Sequence, residues 1–137
     1  MVLPMNSLIG IWMYASLIYQ GQPIPRPNPA LQMYFTFESN SMNEIFYYRT
    51  GENGFCKRKA TYHVEQDQII QTVISLDENN ADFCGQDTDM QIGNVSKTKF
   101  EIIDGSLKLF LPLGDETLIF VWSRTDSLDL TNLKTAN

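Results

Sequence analysis

The sequence predicts an all-β domain, an eight-stranded antiparallel up-and-down barrel, and three observations carry that prediction. Apolar and polar residues alternate with period two along most of the chain, as half-buried strands require. Eight such runs follow one another with turn residues between them and almost no helix signal. The connectors fall alternately short and long, so a meander built from these strands is closed at one end and carries its long loops at the other. Only closure of the sheet removes the unpaired edges such a meander would otherwise expose.

The first strand covers about Ile9–Tyr19 and opens on Leu8-Ile9-Gly10-Ile11-Trp12. Glycine inside a strand marks a bend or a close backbone approach, and tryptophan brings a large apolar body with one indole N–H that needs an acceptor. Gly10 and Trp12 therefore read as a plug at the strand's start. The next strands are Leu31–Glu38, Asn43–Arg49, Phe55–Glu65, Gln68–Leu76, Ser96–Ile103, Ser106–Pro112 and Glu116–Arg124. The tight connectors Ser39–Met42, Gln66-Asp67 and Asp104-Gly105, the last a favoured type I′ pair, fall at the Trp12 end. The long ones, Gln20–Ala30 and Asp77–Val95, fall at the opposite end with Thr50–Gly54 and Leu113–Asp115. Within Gln20–Ala30, the prolines of Gln22–Pro29 favour a stiff extended path, either a lid across the mouth or a rigid spacer.

A chain of 137 residues makes one domain, with the barrel over about 8–124 and a tail over 125–137. Its net charge of -6 argues against nucleic acid and against an anionic membrane surface as partners. No run approaches the ~18 apolar residues of a membrane span. There is no nucleophile elbow, no phosphate-binding glycine loop and no His-Glu-x-x-His, so no catalytic residue or cofactor is assigned. The single histidine, His63, falls on a solvent face, which leaves no histidine-based metal site. Asp77-Glu78-Asn79-Asn80-Ala81-Asp82, with Asp87 and Asp89 beyond it, offers oxygen ligands without calcium-loop spacing and reads as a solvated acidic loop. Asn94-Val95-Ser96 is a glycosylation sequon, meaningful only in a eukaryotic secretory setting.

Gly10-x-Trp12 at the head of the first strand, with Arg124 leaving the last, resembles the lipocalins and the wider calycin superfamily. There a Gly-x-Trp opens the barrel and a basic residue from the last strand covers the tryptophan. The resemblance implies a calycin/lipocalin-like barrel with Gly10, Trp12 and Arg124 at its closed end, and counting eight strands likewise brings Trp122 and Arg124 back beside Trp12 if the first strand closes onto the last. A guanidinium over the Trp12 ring face would add about 0.5–2 kcal/mol. The resemblance also implies noncovalent binding or carriage of a small, largely apolar ligand. The chain departs from lipocalins in being short and in lacking their middle motif. Fatty-acid-binding proteins fit the length, but their two-helix lid has no counterpart in Gln20–Ala30. Avidin-like barrels share Gly-x-Trp and carry more inward tryptophans.

With Trp12 inward, alternation places Tyr14, Ser16 and Ile18 inside on the first strand, and Leu31, Met33, Phe35 and Phe37 on the second. It gives Ile70, Thr72 and Ile74 on the fifth, Phe100 on the sixth, Leu109 on the seventh, and Phe120 and Trp122 on the eighth; the register of the third stays open. On the fourth, Cys56, Arg58, Ala60, Tyr62 and Val64 form the apolar set, which buries Arg58 and requires a partner for it, with Glu44 or an aspartate of the Asp77–Val95 loop at hand. The expected ligand-binding set is Tyr14, Met33, Phe35, Arg58, Tyr62, Phe100, Leu109 and Phe120, with Arg58, Tyr14 or Tyr62 orienting a polar end. A barrel of this size holds either one small ligand or only its own side chains. The alternative is thus a filled-core barrel serving as a protein-interaction or structural module. Ile11, Met13, Ala15 and Leu17 on the first strand and Ile119 and Val121 on the eighth face outward and need cover, from the tail Asp126–Leu133 in a monomer or from a second copy in a homodimer.

Cys56 and Cys84 are predicted to pair. The fourth strand begins at the open end and the fifth returns there, so the tight turn at Gln66-Asp67 sets Cys56 opposite about Asp77. The residues on to Cys84 then let the loop fold back within the roughly 5.5–6 Å Cα separation a disulfide needs. A disulfide implies the periplasm or the exterior, and an export signal missing from this sequence.

Overall fold

A computed structural model describes residues 7–134. The described residues form nine strands: β1 Gly10–Tyr19, β2 Gln22–Ile24, β3 Leu31–Phe37, β4 Met42–Arg49, β5 Cys56–Glu65, β6 Gln68–Leu76, β7 Val95–Ile103, β8 Ser106–Leu113 and β9 Glu116–Thr125. Consecutive strands from β3 to β9 pair antiparallel, and β1 pairs with both β3 and β9, which closes eight strands into a barrel. The short β2 is the exception to the expected meander. Gln20 and Gly21 both take positive φ, a two-residue reversal that folds Gln22–Ile24 back onto Leu17–Tyr19. The proline-rich connector thus begins as an edge strand beside β1.

Hairpin geometry settles which faces point inward. The Gln66-Asp67 turn sets Val64 opposite Ile69, Tyr62 opposite Gln71 and Ala60 opposite Val73. Ile69 and Val73 are therefore the buried pair, and the inward set expected on this strand, Ile70, Thr72 and Ile74, is corrected by one residue. β-branched residues on both faces of the strand hide that register until the hairpin is counted. On β1, a bulge between Tyr14 and Ser16 adds a residue against β9, so Leu17 lies opposite Phe120 and is buried where strict alternation put it outside. On β4, Asn43, Ile45 and Tyr47 turn inward while Phe46 and Tyr48 turn outward.

The closed end is built on Trp12, which is fully buried and donates its indole N–H to the Leu8 carbonyl at 2.9 Å. The Arg124 guanidinium lies 4.1 Å from the Trp12 ring centroid and donates to the carbonyls of Ile9, at 3.0 Å, and Ser7. Gly10 has φ +139°, which favours glycine, and a Cβ there would stand 2.9 Å from Arg124 Nη1 and push the guanidinium from its place.

After β9 the chain runs as an extended strap along the outside. Leu128 and Leu133 pack with Ile11, Met13 and Phe55 against Tyr34, Phe46 and Tyr48. The Tyr48 hydroxyl donates to the Asp129 carbonyl at 3.0 Å, the Asp129 N–H donates to the Tyr34 hydroxyl at 3.0 Å, and Gly54 N–H donates to the Lys134 carbonyl at 2.7 Å. The strap covers β1, β3 and β4, not β1 and β9 as expected. The aromatic row that draws it there comes from the β4 register that alternation alone left open. Truncation after Thr125 is expected to expose Tyr34, Phe46 and Tyr48, lower the urea midpoint and promote self-association. Denaturation and size-exclusion chromatography check this; an unchanged, equally stable monomer would refute it.

Candidate functional site

The lower part of the barrel is filled by Trp12, Phe37 and Leu107, and above them a cavity of ≈ 280 Å³ opens toward the mouth. Phe35 and Trp122 contribute to its aromatic lining, and Leu31, Met33, Ile45, Leu109, Leu111 and Phe120 give it apolar walls. The rest of the lining is polar: Tyr47, Gln71, Asp87, Asp89, Ser96 and Thr98, with Arg49. Tyr47, Arg49 and Asp87 also line the outer depression, where the Arg49 guanidinium lies 5.9 Å from the Phe83 ring centroid.

The two aspartates reach the cavity because the loop between β6 and β7 folds back onto the barrel. Cys56 and Cys84 form a disulfide with a Cα separation of 5.7 Å. Asn80 imitates a strand partner, accepting from Lys57 N–H at 2.8 Å and donating to the Lys57 carbonyl at 3.0 Å, while Ala81 N–H donates to the Phe55 carbonyl at 3.0 Å. Two 3₁₀ turns follow, Asp82–Gln86 and Thr88–Met90, and Met90 is buried in the barrel core. The reading of this stretch as a solvated acidic loop is thereby corrected for Asp87 and Asp89. Cys84 and Met90, two apolar side chains inside an acidic segment, were the sequence signal that it folds inward.

Beside the lining runs a chain of hydrogen bonds across four strands. Arg58 Nη1 donates to Asn43 Oδ1 at 2.6 Å, Asn43 Nδ2 to Gln71 Oε1 at 2.9 Å, and Gln71 Nε2 to Ser96 Oγ at 3.1 Å. Arg58 is 1% exposed, its guanidinium stands 5.6 Å from the Phe35 ring centroid, and its Nε and Nη2 donors have no partner among the described residues. Burial pulls its pKa down to about 10, while Asp89 and Asp87 act to raise it. Glu44, one expected partner, instead faces Lys57 and Lys59 at 3.8 and 3.6 Å.

Asp87 is well used: its Oδ2 accepts from the Tyr47 hydroxyl at 2.7 Å and its Oδ1 from Asp89 N–H at 2.9 Å. Burial, then that hydrogen bond, push the Tyr47 hydroxyl well above the usual phenol range. Burial and the neighbouring Asp87 raise the Asp89 carboxyl, with Arg58 opposing.

Of the expected ligand-binding set, Met33, Phe35, Leu109 and Phe120 line the cavity. Tyr14 stacks on Phe120 with ring centroids 5.4 Å apart, and Phe100 packs against the core opposite Leu109. Arg58 stands outside the lining. Tyr62 lies toward the closed end, edge-on to Phe37 at 5.1 Å, with its hydroxyl donating to the Glu38 carbonyl at 3.0 Å. Tyr62 is thus removed from the polar end it was expected to orient. Trp122, grouped with the closed-end cluster, reaches the cavity lining instead.

No protein-family model and no curated protein matches the sequence. Among solved structures, a lipocalin-like protein from Bacteroides uniformis superposes with a TM-score of 0.58 at 12% identity, covering 86% of this chain and 98% of that one. The fold is a lipocalin-like barrel. An uncharacterised protein from Bacteroides eggerthii superposes with a TM-score of 0.53 at 12% identity, over 87% of this chain and 100% of that one. A fatty acid transporter, REP1-NXSQ, aligns at a TM-score of 0.45 and 15% identity over 88% of this chain and 98% of that one, too loosely to bear on ligand choice.

Two outcomes follow from the loop. Replacing Cys56 and Cys84 by serine opens a ring closed across a separation of 28 residues and is expected to cost about 3–4 kcal/mol by the chain-entropy argument, measurable by urea unfolding. Asp89 holds its proton to higher pH in the folded state than its ordinary 3.8, so folding stability falls as pH rises from that value through the folded pKa. Asp89→Asn should then raise the melting temperature at neutral pH, with the difference shrinking toward pH 3.8.

Proposed function

We propose that the protein binds a small, predominantly apolar molecule noncovalently in the barrel cavity. The observation that carries this reading is the ≈ 280 Å³ space left inside a barrel whose other end is packed solid. A tightly filled core closes such a space, since interiors pack at crystal density and large voids cost stability. Cavity size limits the ligand. An apolar cavity of about 150 Å³ takes benzene, so this one suits a molecule of about ten to twelve non-hydrogen atoms. Burial of its apolar surface, at about 25 cal/mol per Å², supplies the driving force, and the polar side of the lining sets its orientation.

The disulfide, buried between β5 and the loop that shapes the cavity, supports a location in an oxidising compartment, the periplasm or the exterior. Butylbenzene is a suitable first probe. It is expected to bind with a negative heat-capacity change by calorimetry and to alter Trp122 fluorescence. Leu109→Trp, which fills the cavity, should weaken binding by about tenfold or more while the circular dichroism stays that of a β-barrel. Equal binding by the filled variant would refute the cavity as the site.

A further inference from the structure

We infer that the ligand's polar end is uncharged and both accepts and donates hydrogen bonds, as an alcohol or a primary amide does, and that the cavity discriminates against carboxylate and ammonium ends. The inference rests on the cavity reading above and specifies the class of molecule it takes.

The charges around the cavity are balanced. Asp87 and Asp89 lie on the lining with Arg49, and Arg58 stands close enough behind it that both aspartates act on its protonation. A carboxylate end meets Asp89 before it can reach Arg58, whose guanidinium is 1% exposed and anchored to Asn43. An ammonium end meets Arg49 on the lining, and Arg58 behind it offsets the pull of the two aspartates. Because the charges of the site already cancel, either charged end gives up its hydration for no net attraction.

The hydrogen-bonding capacity left over is mixed in the same way. Asp87 is occupied by the Tyr47 hydroxyl and the Asp89 N–H, whereas the Asp89 carboxylate accepts no hydrogen bond among the described residues. Ser96 Oγ takes the Gln71 N–H, which leaves the serine's own proton to donate. The Thr98 hydroxyl, also on the lining, is uncommitted among the described residues. Free donors and a free acceptor thus share one polar side opposite apolar walls. A hydroxyl or carboxamide satisfies both kinds at once without adding charge; a carboxylate offers no donor and an ammonium no acceptor.

Octanamide, 1-octanol, octanoate and octylamine share a chain that fits the space and differ in their ends. With butylbenzene as a probe lacking any polar end, titration calorimetry at neutral pH is expected to show octanamide and octanol binding about tenfold or more tightly than either charged compound. Octanoate or octylamine binding as tightly as octanamide overturns the inference while leaving the cavity reading intact. Failure of all five, butylbenzene included, overturns both. Asp89→Asn tilts the balance toward positive charge, so the octanoate-to-octanamide affinity ratio should rise by about tenfold. An unchanged ratio in a folded variant also overturns the inference.

Discussion

Closure of β1 onto β9 is the constraint on which the rest of the molecule depends, and one cation–π contact holds its lower end. Trp12 fills the base of the barrel while Arg124, arriving from β9, lies over its ring and ties down the carbonyls that precede β1. Gly10 gives the guanidinium room to lie there and tolerates a φ that side chains rarely adopt. First strand, last strand and chain entrance are thereby locked at one point. Without the β1–β9 ladder that this contact anchors at its lower end, β1 and β9 would be two unprotected edges.

The upper half is organised differently. Below, the strands and the Leu8 entrance segment supply the packing; above, the cavity has one wall that no strand provides. The loop between β6 and β7 makes that wall, held by the disulfide, by Asn80 pairing with the Lys57 backbone and by Met90 inserted into the core. Asp87 and Asp89 are carried by this tethered segment, so the polarity of the cavity depends on a loop while its shape depends on the sheet. The two contributions can vary independently, which suits a scaffold whose ligand is set by few residues.

Much of the fold was legible in the sequence because each barrel feature leaves a local mark. Period-two alternation gives the strands, turn pairs such as Asp104-Gly105 give the tight ends, and counting strands brings Arg124 back to Trp12 and Cys56 up to Cys84. The errors share a physical cause: alternation fixes a face only until a residue is added or both faces look alike. The bulge after Tyr14 inverted the upper part of β1, and Ile69–Ile74 carry β-branched residues on both faces of β6. The apolar walls of the site could be read for the same reason the strands could. Its polar side could not, because Asp87 and Asp89 look like any solvated acidic run until Met90 and the disulfide fold the loop inward.

Arg58 shows why the polar and apolar halves of the interior cannot be separated. A buried guanidinium with two donors unpaired among the described residues is a cost, and a hydrophobic replacement of similar volume is often no less stable than a buried charge. Its neighbours account for its place. Arg58 starts a directed chain of donors through Asn43 and Gln71 to Ser96, which fixes the orientation of two amides and leaves the serine proton as the uncommitted member. It also offsets the repulsion between Asp87 and Asp89, each of which acts to keep it protonated. Removing it would leave Asn43 Oδ1 buried without its donor and the neighbouring Asp87 and Asp89 carboxylates without the charge that offsets them, so the cost of burying Arg58 is what allows two acids to sit side by side on the cavity lining.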